Sequence, residues 1–374
     1  MGTLRDEVVI NGMRLRNRIA MPPLTTNYGS PQGIVTEQII QFYTERSRHV
    51  GLVIVEASVV RADGRIVPGS LGLWEDGQVG GMARLADSIK KLGAAAVAQI
   101  NHAGARGFPS GGEMQGASPS GYAFRPDVVP FTLSSTQIDR MVADFADAAG
   151  RAAEAGFDGV EIHGAHLYLI SQFLSPLTNQ RNDRYGGDAG ARATFALEVV
   201  RAARERLGRS YPILFRFNAL ENVEGGQTLE DALTVSRLMA DEGVDALHVS
   251  LTAHSSWKEV DGRRFLVPSS TLSKEQPAGA NVARAVAVKE AAGLPVIAVG
   301  KLGQGNVADE SVRDLPIDMV AIGRQMIVDP DTAGKILAGK SSEIVPCEEC
   351  ITCLATIGSG KPMACKVNRN LPAT

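Results

Sequence analysis

The sequence lacks the features that mark secreted, membrane-bound or nucleic-acid-binding proteins. Its N-terminus, MGTLRDEVVINGM, has no apolar signal core, and no stretch approaches the roughly eighteen apolar residues of a membrane helix. Its 38 lysines and arginines are slightly outnumbered by 41 aspartates and glutamates, so no basic excess attracts nucleic acid or anionic lipid. We therefore expect a cytoplasmic protein that binds neither nucleic acid nor membranes.

Cysteine is absent from the first 346 residues, and all four cysteines lie in the segment CEECITCLATIGSGKPMACKVN, residues 347–368. Disulfides between four cysteines could not stabilise a chain of 374 residues. In a reducing compartment, a group of cysteines is more often a metal site than a set of disulfides. We therefore predict a metal centre in a short C-terminal cysteine-rich segment, residues 341–374, that follows one larger unit, residues 1–340.

Short apolar, β-branched runs recur along the chain and predict eight strands. They occupy residues 17–24, 51–60, 94–101, 159–165, 213–219, 246–252, 295–302 and 319–325. Stretches with helical periodicity separate them, such as 135–156 and 191–208, each closing at a glycine typical of a helix C-cap. This alternation predicts an α/β fold with a parallel sheet buried on both faces. The count of eight favours a (β/α)₈ TIM barrel over a doubly wound open sheet.

Polar residues and glycines follow the predicted strands, at the edge where barrel enzymes carry their active sites. In chain order they are Thr25, Gln99, His102, His163, His166, Arg216, His254, Gly300, Gly323 and Arg324. Two stretches rich in glycine, proline and serine, 103–133 and 253–278, are expected to form irregular loops over the same face. The sequence therefore predicts one active site at this end of the barrel.

Arg216 lies in the apolar run ILFRFNA, where a charge must be paired. It is either the partner of an internal carboxylate such as Glu161 or Glu56, or a fixed cation for an anionic cofactor. The glycines after the last two strands, with Arg324 beside the second, suit the phosphate site that many barrels build there. Simple turn glycines are the alternative.

His163 and His166 flank a small Gly-Ala step at the end of the fourth strand, and Tyr168 follows two residues later. Two adjacent imidazoles can donate two hydrogen bonds to one carbonyl oxygen, and a nearby phenol can deliver a proton. A zinc site is the alternative, although the sequence shows no evident third ligand close by. The three residues therefore favour catalysis on a carbonyl compound.

The chain resembles the old yellow enzymes, a family of FMN-dependent barrel oxidoreductases that includes 2,4-dienoyl-CoA reductase and trimethylamine dehydrogenase. The resemblance runs over nearly the whole chain. It includes LRNRIAMPPLT, AQINHAGARG, AGFDGVEIHGAHLYLISQFLSPLTNQRNDRYGG, GVDALHVS, PVIAVGKL and DMVAIGRQMIVDPD. The motif of the fourth strand is the most specific of these.

This resemblance implies an FMN site at the mouth of the barrel. Gln99 would bind the flavin pyrimidine edge, Thr25 would contact O4, and Arg216 would lie near N1 and O2, where its charge stabilises anionic reduced flavin. The remaining cofactor residues would be Pro23, Leu24 and Ala57 beside the flavin, and Gly300, Gly323 and Arg324 at its phosphate.

The resemblance also implies roles on the substrate side. His163 and His166 would polarise the carbonyl of a substrate with a conjugated C=C bond, and Tyr168 would protonate the α-carbon. His254 lies where the dienoyl-CoA reductase branch carries a second proton-handling histidine, so it either assists catalysis or merely lines the loop.

The cysteine segment resembles the one that follows the barrel in the dienoyl-CoA reductase and trimethylamine dehydrogenase branch, where four cysteines hold a [4Fe–4S] cluster. Cys347, Cys350 and Cys353 have the C-x₂-C-x₂-C spacing, and Cys365 would be the fourth ligand. Structural zinc is the alternative. Relatives with the cluster usually continue into flavin- and nucleotide-binding domains, so we expect either a redox partner or further C-terminal domains.

The expected activity is an ene reductase that transfers hydride from NADH or NADPH through FMN to an activated C=C bond of an enone, enoate or dienoyl thioester. One alternative is an amine dehydrogenase or N-demethylase of the same fold that passes electrons through the cluster. Another is an electron-transfer subunit of a larger complex. We also expect a small-molecule substrate with an activated C=C bond and a homo-oligomer.

Overall fold

The structure, a computed structural model, describes residues 2–108, 115–117, 131–260, 263–304 and 306–372. Eight parallel strands close into a barrel, in the order β3-β4-β5-β8-β9-β10-β13-β14 around the ring. This confirms the (β/α)₈ barrel, and the open sheet is wrong. Each of the eight predicted apolar runs contributes one of these strands.

The strands of the described residues comprise the barrel and three two-stranded pairings. Their bounds are β1 Val8–Ile10, β2 Met13–Leu15, β3 Ile19–Met21, β4 Leu52–Val59, β5 Ala95–Asn101, β6 Gln115–Gly116, β7 Phe131–Thr132, β8 Gly159–Gly164, β9 Ile213–Glu221, β10 Ala246–Thr252, β11 His254–Val260, β12 Arg263–Ser269, β13 Val296–Val299 and β14 Met319–Ala321.

The helices of the described residues pack outside the barrel or follow it. Their bounds are α1 Glu37–Ser47, α2 Val79–Lys90, α3 Ser135–Glu154, α4 Leu169–Leu174, α5 Ala189–Leu207, α6 Leu229–Asp241, α7 Val282–Ala292, α8 Val307–Asp314, α9 Arg324–Val328, α10 Thr332–Leu337 and α11 Thr352–Gly358. None of the helices in this described part combines the length and apolar character required to cross a membrane.

Local sequence sets the ends of the predicted helices. Ser134 caps α3 and forms a reciprocal capping box with Gln137, which satisfies two backbone donors at the helix start. Asp188 caps α5, and this helix ends at Gly208, whose positive φ of 77° is accessible to glycine at little cost. The predicted helices over 135–156 and 191–208 are therefore confirmed to within two residues.

The interior of the barrel changes from apolar to polar along each strand. Near the N-terminal ends, side chains such as Ile54, Val97 and Leu214 form a compact core with residues of the β1–β2 hairpin. Two residues further on, the same inward face carries Glu56, Gln99, Arg216 and, in β10, His248, all buried. The apolar layer closes the bottom of the barrel, and the polar layer lies beneath its mouth.

One predicted loop has regular structure. The stretch 253–278 was expected to be irregular, but β11 and β12 pair antiparallel over seven residues each, with His254 opposite Ser269. The dipeptide Asp-Gly at 261–262 is a sequence signal for a hairpin, which the glycine, proline and serine content of the wider stretch obscured. Part of the other stretch, 103–133, lies outside the described residues.

The cysteine segment lies against the barrel and is held by side chains from several loops. Tyr28 Oη donates to the carbonyl of Met363 at 2.8 Å, and Asn27 Nδ2 donates to that of Gly360 at 2.9 Å. Lys301 Nζ forms an ion pair of 2.7 Å with Glu349 Oε2, with only 4% and 12% of the two side chains exposed. These contacts fix the segment beside the loops that follow β13 and β14.

Candidate active site

A cavity of about 650 Å³ opens at the C-terminal ends of the barrel strands. It brings together twelve of the residues predicted from the sequence: Pro23, Leu24, Thr25, Ala57, Gln99, His163, His166, Tyr168, Arg216, Gly300, Gly323 and Arg324. Its size and its mixture of apolar walls and a few polar groups are typical of a small-molecule or cofactor site. The cavity lies at the end of the barrel where enzymes of this fold carry their active sites, as predicted.

Two predicted histidines fall elsewhere or cannot be placed. His102 is buried beside the cavity, where its Nε2 lies 3.3 Å from Asp63 Oδ1 and its Nδ1 accepts from Gly104 N, so it braces a loop. His254 begins β11, but the side chains of His254 and Trp257 lie outside the described part of the chain. The predicted catalytic role of His254 therefore stays a prediction.

His163 and His166 form a buried imidazole pair. Nε2 of His163 lies 3.1 Å from Nδ1 of His166, and Nε2 of His166 lies 2.7 Å from Ser250 Oγ. Burial, followed by the positive charge of Arg216, lowers the pKa of both histidines well below the usual value. Both rings are therefore neutral near pH 7, and each carries one N–H to donate.

The chain path around this pair is strained. His166 and Leu167 have positive φ angles of 61° and 56°, a left-handed conformation that costs non-glycine residues energy. The backbone N–H of His166 donates to Asn218 Oδ1 at 3.3 Å, which helps to hold this conformation. The turn directs the His166 ring back towards His163 at the end of β8.

Tyr168 lies at the start of α4 and faces the same cavity. The centre of its ring is 5.1 Å from that of His163, in an edge-to-face arrangement. The guanidinium of Arg106 covers the ring from a distance of 4.9 Å. The phenol and the two imidazoles therefore converge on one space, as their spacing in the sequence predicted.

A polar network lies below the cavity floor. Gln99 Nε2 donates to Glu161 Oε1 at 2.6 Å, and Glu161 Oε2 lies 2.7 Å from His248 Nδ1. Burial lowers the pKa of Arg216, and the negative charge of the nearby Glu161 acts in the opposite direction. Because the side-chain nitrogen of Gln99 donates to Glu161, its side-chain oxygen is available to accept a hydrogen bond from a ligand in the cavity.

Both alternatives considered for Arg216 apply in part. Its charge interacts with Glu161, as the ion-pair interpretation expected, while its side chain also lines the cavity. The other candidate partner, Glu56, instead accepts from Thr26 N at 2.9 Å and Thr26 Oγ1 at 2.7 Å. Burial raises the pKa of Glu56 to about 7, so this carboxyl is largely uncharged in weak acid.

The residues around the cavity fit FMN. Buried Nε of Arg216 and Nη1 of Arg324 have no partner within the described residues, so each can bind a polar ligand atom. Gly300 has a φ of 142°, which disfavours other residues, and a Cβ on Gly323 would lie 3.3 Å from Pro22. These glycines let the backbone approach a ligand closely beside the Arg324 guanidinium.

The four cysteines line one small second cavity, and Arg324, Cys347 and Cys353 lie on the wall that it shares with the large one. Their thiols are free and half-buried. Across the described ranges, no three histidine, cysteine, aspartate or glutamate side chains are grouped closely enough to hold a metal ion. A [4Fe–4S] cluster binds each thiolate at a different iron, so its ligands stand farther apart than those of a single zinc. The all-thiol donor set is compatible with such a cluster.

Comparisons with known proteins agree with this geometry. The profile of the NADH:flavin oxidoreductase / NADH oxidase family matches residues 8–343. The NADH oxidase of Thermoanaerobacter brockii is 36% identical over 377 aligned residues, which cover 98% of this chain and 56% of that protein. The NADH:acrylate oxidoreductase of Vibrio harveyi is 35% identical, covering 90% of this chain and 33% of that protein. This chain thus spans about half the length of the first relative and a third of the second.

Three solved structures share the fold. A complex of 2-naphthoyl-CoA reductase with 2-naphthoyl-CoA has a TM-score of 0.91 at 25% identity, covering 99% of this chain and 57% of that chain. Histamine dehydrogenase from Rhizobium sp. 4-9 has a TM-score of 0.83 at 25% identity, covering 99% and 52%. Morphinone reductase in complex with tetrahydroNAD has a TM-score of 0.74 at 25% identity, covering 91% and 92%.

Proposed function

Since this chain belongs to the NADH:flavin oxidoreductase / NADH oxidase family, we propose that it is an FMN-dependent ene reductase. NADH or NADPH would be the electron donor, and the acceptor would be a C=C bond conjugated to a carbonyl group. One observation carries the proposal: a neutral histidine pair and a phenol face the same cavity as Gln99 and Arg216. Similarity to proteins named for acrylate and morphinone reduction supports it.

The floor and one wall of the cavity would hold FMN. The Gln99 oxygen would accept from the flavin pyrimidine edge, Arg216 would lie beside the N1 and O2 end, and Thr25 would lie at O4. The remaining contacts would come from Pro23, Leu24 and Ala57 beside the flavin, and from Gly300, Gly323 and Arg324 at the phosphate. When bound, FMN supplies hydride transfer between the nicotinamide and the substrate.

The histidine pair and Tyr168 would act on the substrate. N–H groups of His163 and His166 donate to the carbonyl oxygen and stabilise the negative charge that develops there. Each neutral imidazole carries one N–H group. Both rings can donate to the same carbonyl oxygen only if the N–H of His166 is at Nδ1, and its Nε2 then accepts a hydrogen bond from the Ser250 hydroxyl. Tyr168 Oη then donates its proton to the α-carbon, and His254 remains a candidate for a second proton-handling role.

Residues 341–374 would form the metal-binding segment of the enzyme, and residues 1–340 the flavin barrel. Cys347, Cys350, Cys353 and Cys365 would hold a [4Fe–4S] cluster, which supplies one-electron transfer when bound. Arg324 borders both cavities, so its charge acts on both sites. A redox partner or further domains would exchange electrons with this segment.

The test compares the two half-reactions of Tyr168→Phe. Reduction by NADH or NADPH should stay within about threefold of wild type, whereas reduction of an enone by the reduced enzyme should slow by roughly a hundredfold. Tyr211→Phe is a matched control, because Tyr211 Oη donates to the carbonyl of Phe157 away from the cavity. Equal slowing of both half-reactions by Tyr168→Phe would contradict the assignment.

The similarity to histamine dehydrogenase favours a second candidate, an amine dehydrogenase that oxidises its substrate and passes electrons through the cluster. That chemistry makes no use of two imidazoles that bind a carbonyl oxygen. Enone reduction that collapses in His163→Ala therefore supports the ene reductase. If the wild type does not reduce enones, and His163→Ala still oxidises amines, the results support the dehydrogenase. An isolated chain with neither activity would point to an electron-transfer subunit.

A further inference from the structure

Glu161 is fully buried beneath the floor of the cavity and has no task in the proposed reaction. It lies in β8, two residues before His163, and the register of the sheet places it beside Gln99 of β5. Burying a charge is costly unless neighbouring groups compensate it, and an amide could fill the same space without that cost. The contacts of Glu161 therefore need an explanation that includes its charge.

Glu161 fixes the orientation of the Gln99 side chain. A carboxylate only accepts hydrogen bonds, so Gln99 turns its nitrogen towards Glu161 Oε1, at 2.6 Å, and its oxygen away from it. The second carboxylate oxygen, Oε2, lies 2.7 Å from Nδ1 of His248. Burial, followed by the charge of Arg216, lowers the pKa of His248, so this ring is neutral and donates its Nδ1 proton to Glu161. Each oxygen of Glu161 thus accepts from a fixed N–H group.

Glu161 also acts on Arg216, through its charge. Arg216 lies in β9, where its neighbours across the sheet are His163 of β8 and His248 of β10. Burial lowers the pKa of Arg216, and the charge of Glu161 raises it. Since Nε of Arg216 has no partner within the described residues, the guanidinium keeps a donor for a ligand while Glu161 offsets its positive charge.

The other titratable groups of the polar layer do not duplicate this role. The two histidines beside Arg216 are neutral near pH 7, because burial lowers their pKa. Burial raises the pKa of Glu56 to about 7, and its carboxyl accepts from Thr26, which is not a proposed flavin contact. In the described part of this layer, the negative charge of Glu161 therefore compensates the positive charge of Arg216.

We propose that Glu161 is a positioning residue that tunes the reduction potential of bound FMN through Gln99 and Arg216. This inference rests on the FMN site proposed above. The hydrogen bond of Glu161 presents the Gln99 oxygen to the pyrimidine edge of the flavin. Its charge offsets that of Arg216, which would otherwise stabilise the negative charge of reduced flavin too strongly. The potential stays low, so the reduced enzyme can pass its electrons to a C=C bond.

The experiment measures the two-electron reduction potential of FMN-loaded wild type and Glu161→Gln by equilibration with a reference dye. The variant keeps an oxygen that can accept from Gln99 and removes only the charge. Its equilibrium constant for reduction should rise roughly a hundredfold, which is a potential about 60 mV higher. Glu161→Asp retains the charge and should stay closer to the wild type. Glu221→Gln is the control, because Glu221 is a buried carboxyl that bonds Ser175 and does not line the cavity.

A further variant, Glu161→Leu, tests the hydrogen bond to Gln99. Without an acceptor beneath it, the Gln99 amide can present either its nitrogen or its oxygen to the cavity. FMN should therefore bind roughly tenfold more weakly than in Glu161→Gln. The FMN released on dilution of the loaded proteins measures this difference. Equal FMN affinity in the two variants would contradict the positioning of Gln99 by Glu161.

The outcomes separate this inference from the proposed function. An unchanged or lowered potential in Glu161→Gln would overturn the role of Glu161 and leave the ene reductase intact. A raised potential in a protein that reduces no enone would support the role of Glu161 and contradict the proposed acceptor. A wild type that binds no FMN would defeat both proposals.

If the variants do not fold, the wild type still provides a test. Because the charges of Glu161 and Arg216 compensate each other, the potential of bound FMN should lie within about 60 mV of that of free FMN, a hundredfold in the equilibrium constant. A potential raised by more than this would contradict the proposal.

Discussion

The barrel mouth and the cysteine segment are held in place by different means. At the barrel mouth, functional side chains such as Gln99 and Arg216 lie in strands that pair on both sides within a closed sheet. Within its described residues, 341–372, the cysteine segment has no strand and only the 3₁₀ turn Ser341–Glu343 and the short helix α11. Individual hydrogen bonds, the Lys301–Glu349 ion pair and the packing of Met363 against the core hold it in place. The barrel therefore builds its site through sheet pairing, whereas the segment is held by separate contacts, to which the proposed metal would add.

Replacing a cysteine should have the largest effect, and this effect should be confined to the cysteine segment. In Cys353→Ser, loss of one thiolate should release nearly all of the metal, and protease should then cut the segment 341–374 rapidly. The barrel should keep most of its FMN, because the proposed flavin contacts all come from residues 1–340, even though segment residues such as Cys353 and Ile357 line part of the same cavity. Iron and flavin content, together with limited proteolysis, check this. Ser342→Ala is the control, because Ser342 is exposed and lines neither cavity. FMN lost in proportion to iron would contradict separate binding of the two groups.

The ion pair between Lys301 and Glu349 should have the next largest effect. Lys301→Met leaves the Glu349 carboxylate buried without its cation, which costs about 3 kcal/mol of the free energy that docks the segment. Faster proteolysis within 341–374 should report this loss. The double variant Lys301→Met/Glu349→Gln should recover most of it, because no charge then remains unpaired. A double variant as sensitive as the single one would argue against the ion pair as the cause.

The buried Glu56 predicts a smaller, pH-dependent effect that belongs to the barrel alone. Its pKa is raised from 4.5 to about 7, so the folded state binds more protons than the unfolded state between these values. The stability from Glu56 is fully present below pH 4.5 and is lost as the pH rises through 7, by at most about 3 kcal/mol. Glu56→Gln should remove this slope in urea unfolding. An identical slope in both proteins would contradict the assignment.

Much of the fold was predictable because its signals are local. Apolar runs of strand length, helix caps such as Ser134 and C-terminal glycines such as Gly208 act within a few residues. The barrel then carries the ends of distant strands to one edge, so eight of the ten polar residues and glycines that follow the predicted strands line the cavity. The sequence motif around His163 added the pairing with Tyr168.

The remaining features depend on contacts between residues far apart in the chain. The links from Gln99 through Glu161 to His248 join three strands, and only the barrel closure makes them neighbours. Period-two alternation in LHVSLT could have placed His248 on the inward face with Ser250, but it could not name their partners. Arg106 was hidden in a stretch rich in glycine, and its approach to Tyr168 depends on the turn after β5.

The proposed reaction reduces a C=C bond by separate transfer of a hydride to the β-carbon and a proton to the α-carbon. The most direct test supplies [4,4-²H₂]NADH, or its NADPH counterpart, in ordinary water with the conjugated enone 4-phenyl-3-buten-2-one as acceptor. The expected product is saturated, with deuterium on the β-carbon and none on the α-carbon, because the α-proton comes from Tyr168 and solvent. Deuterium on the α-carbon, or oxidation of the donor without a saturated product, would contradict it.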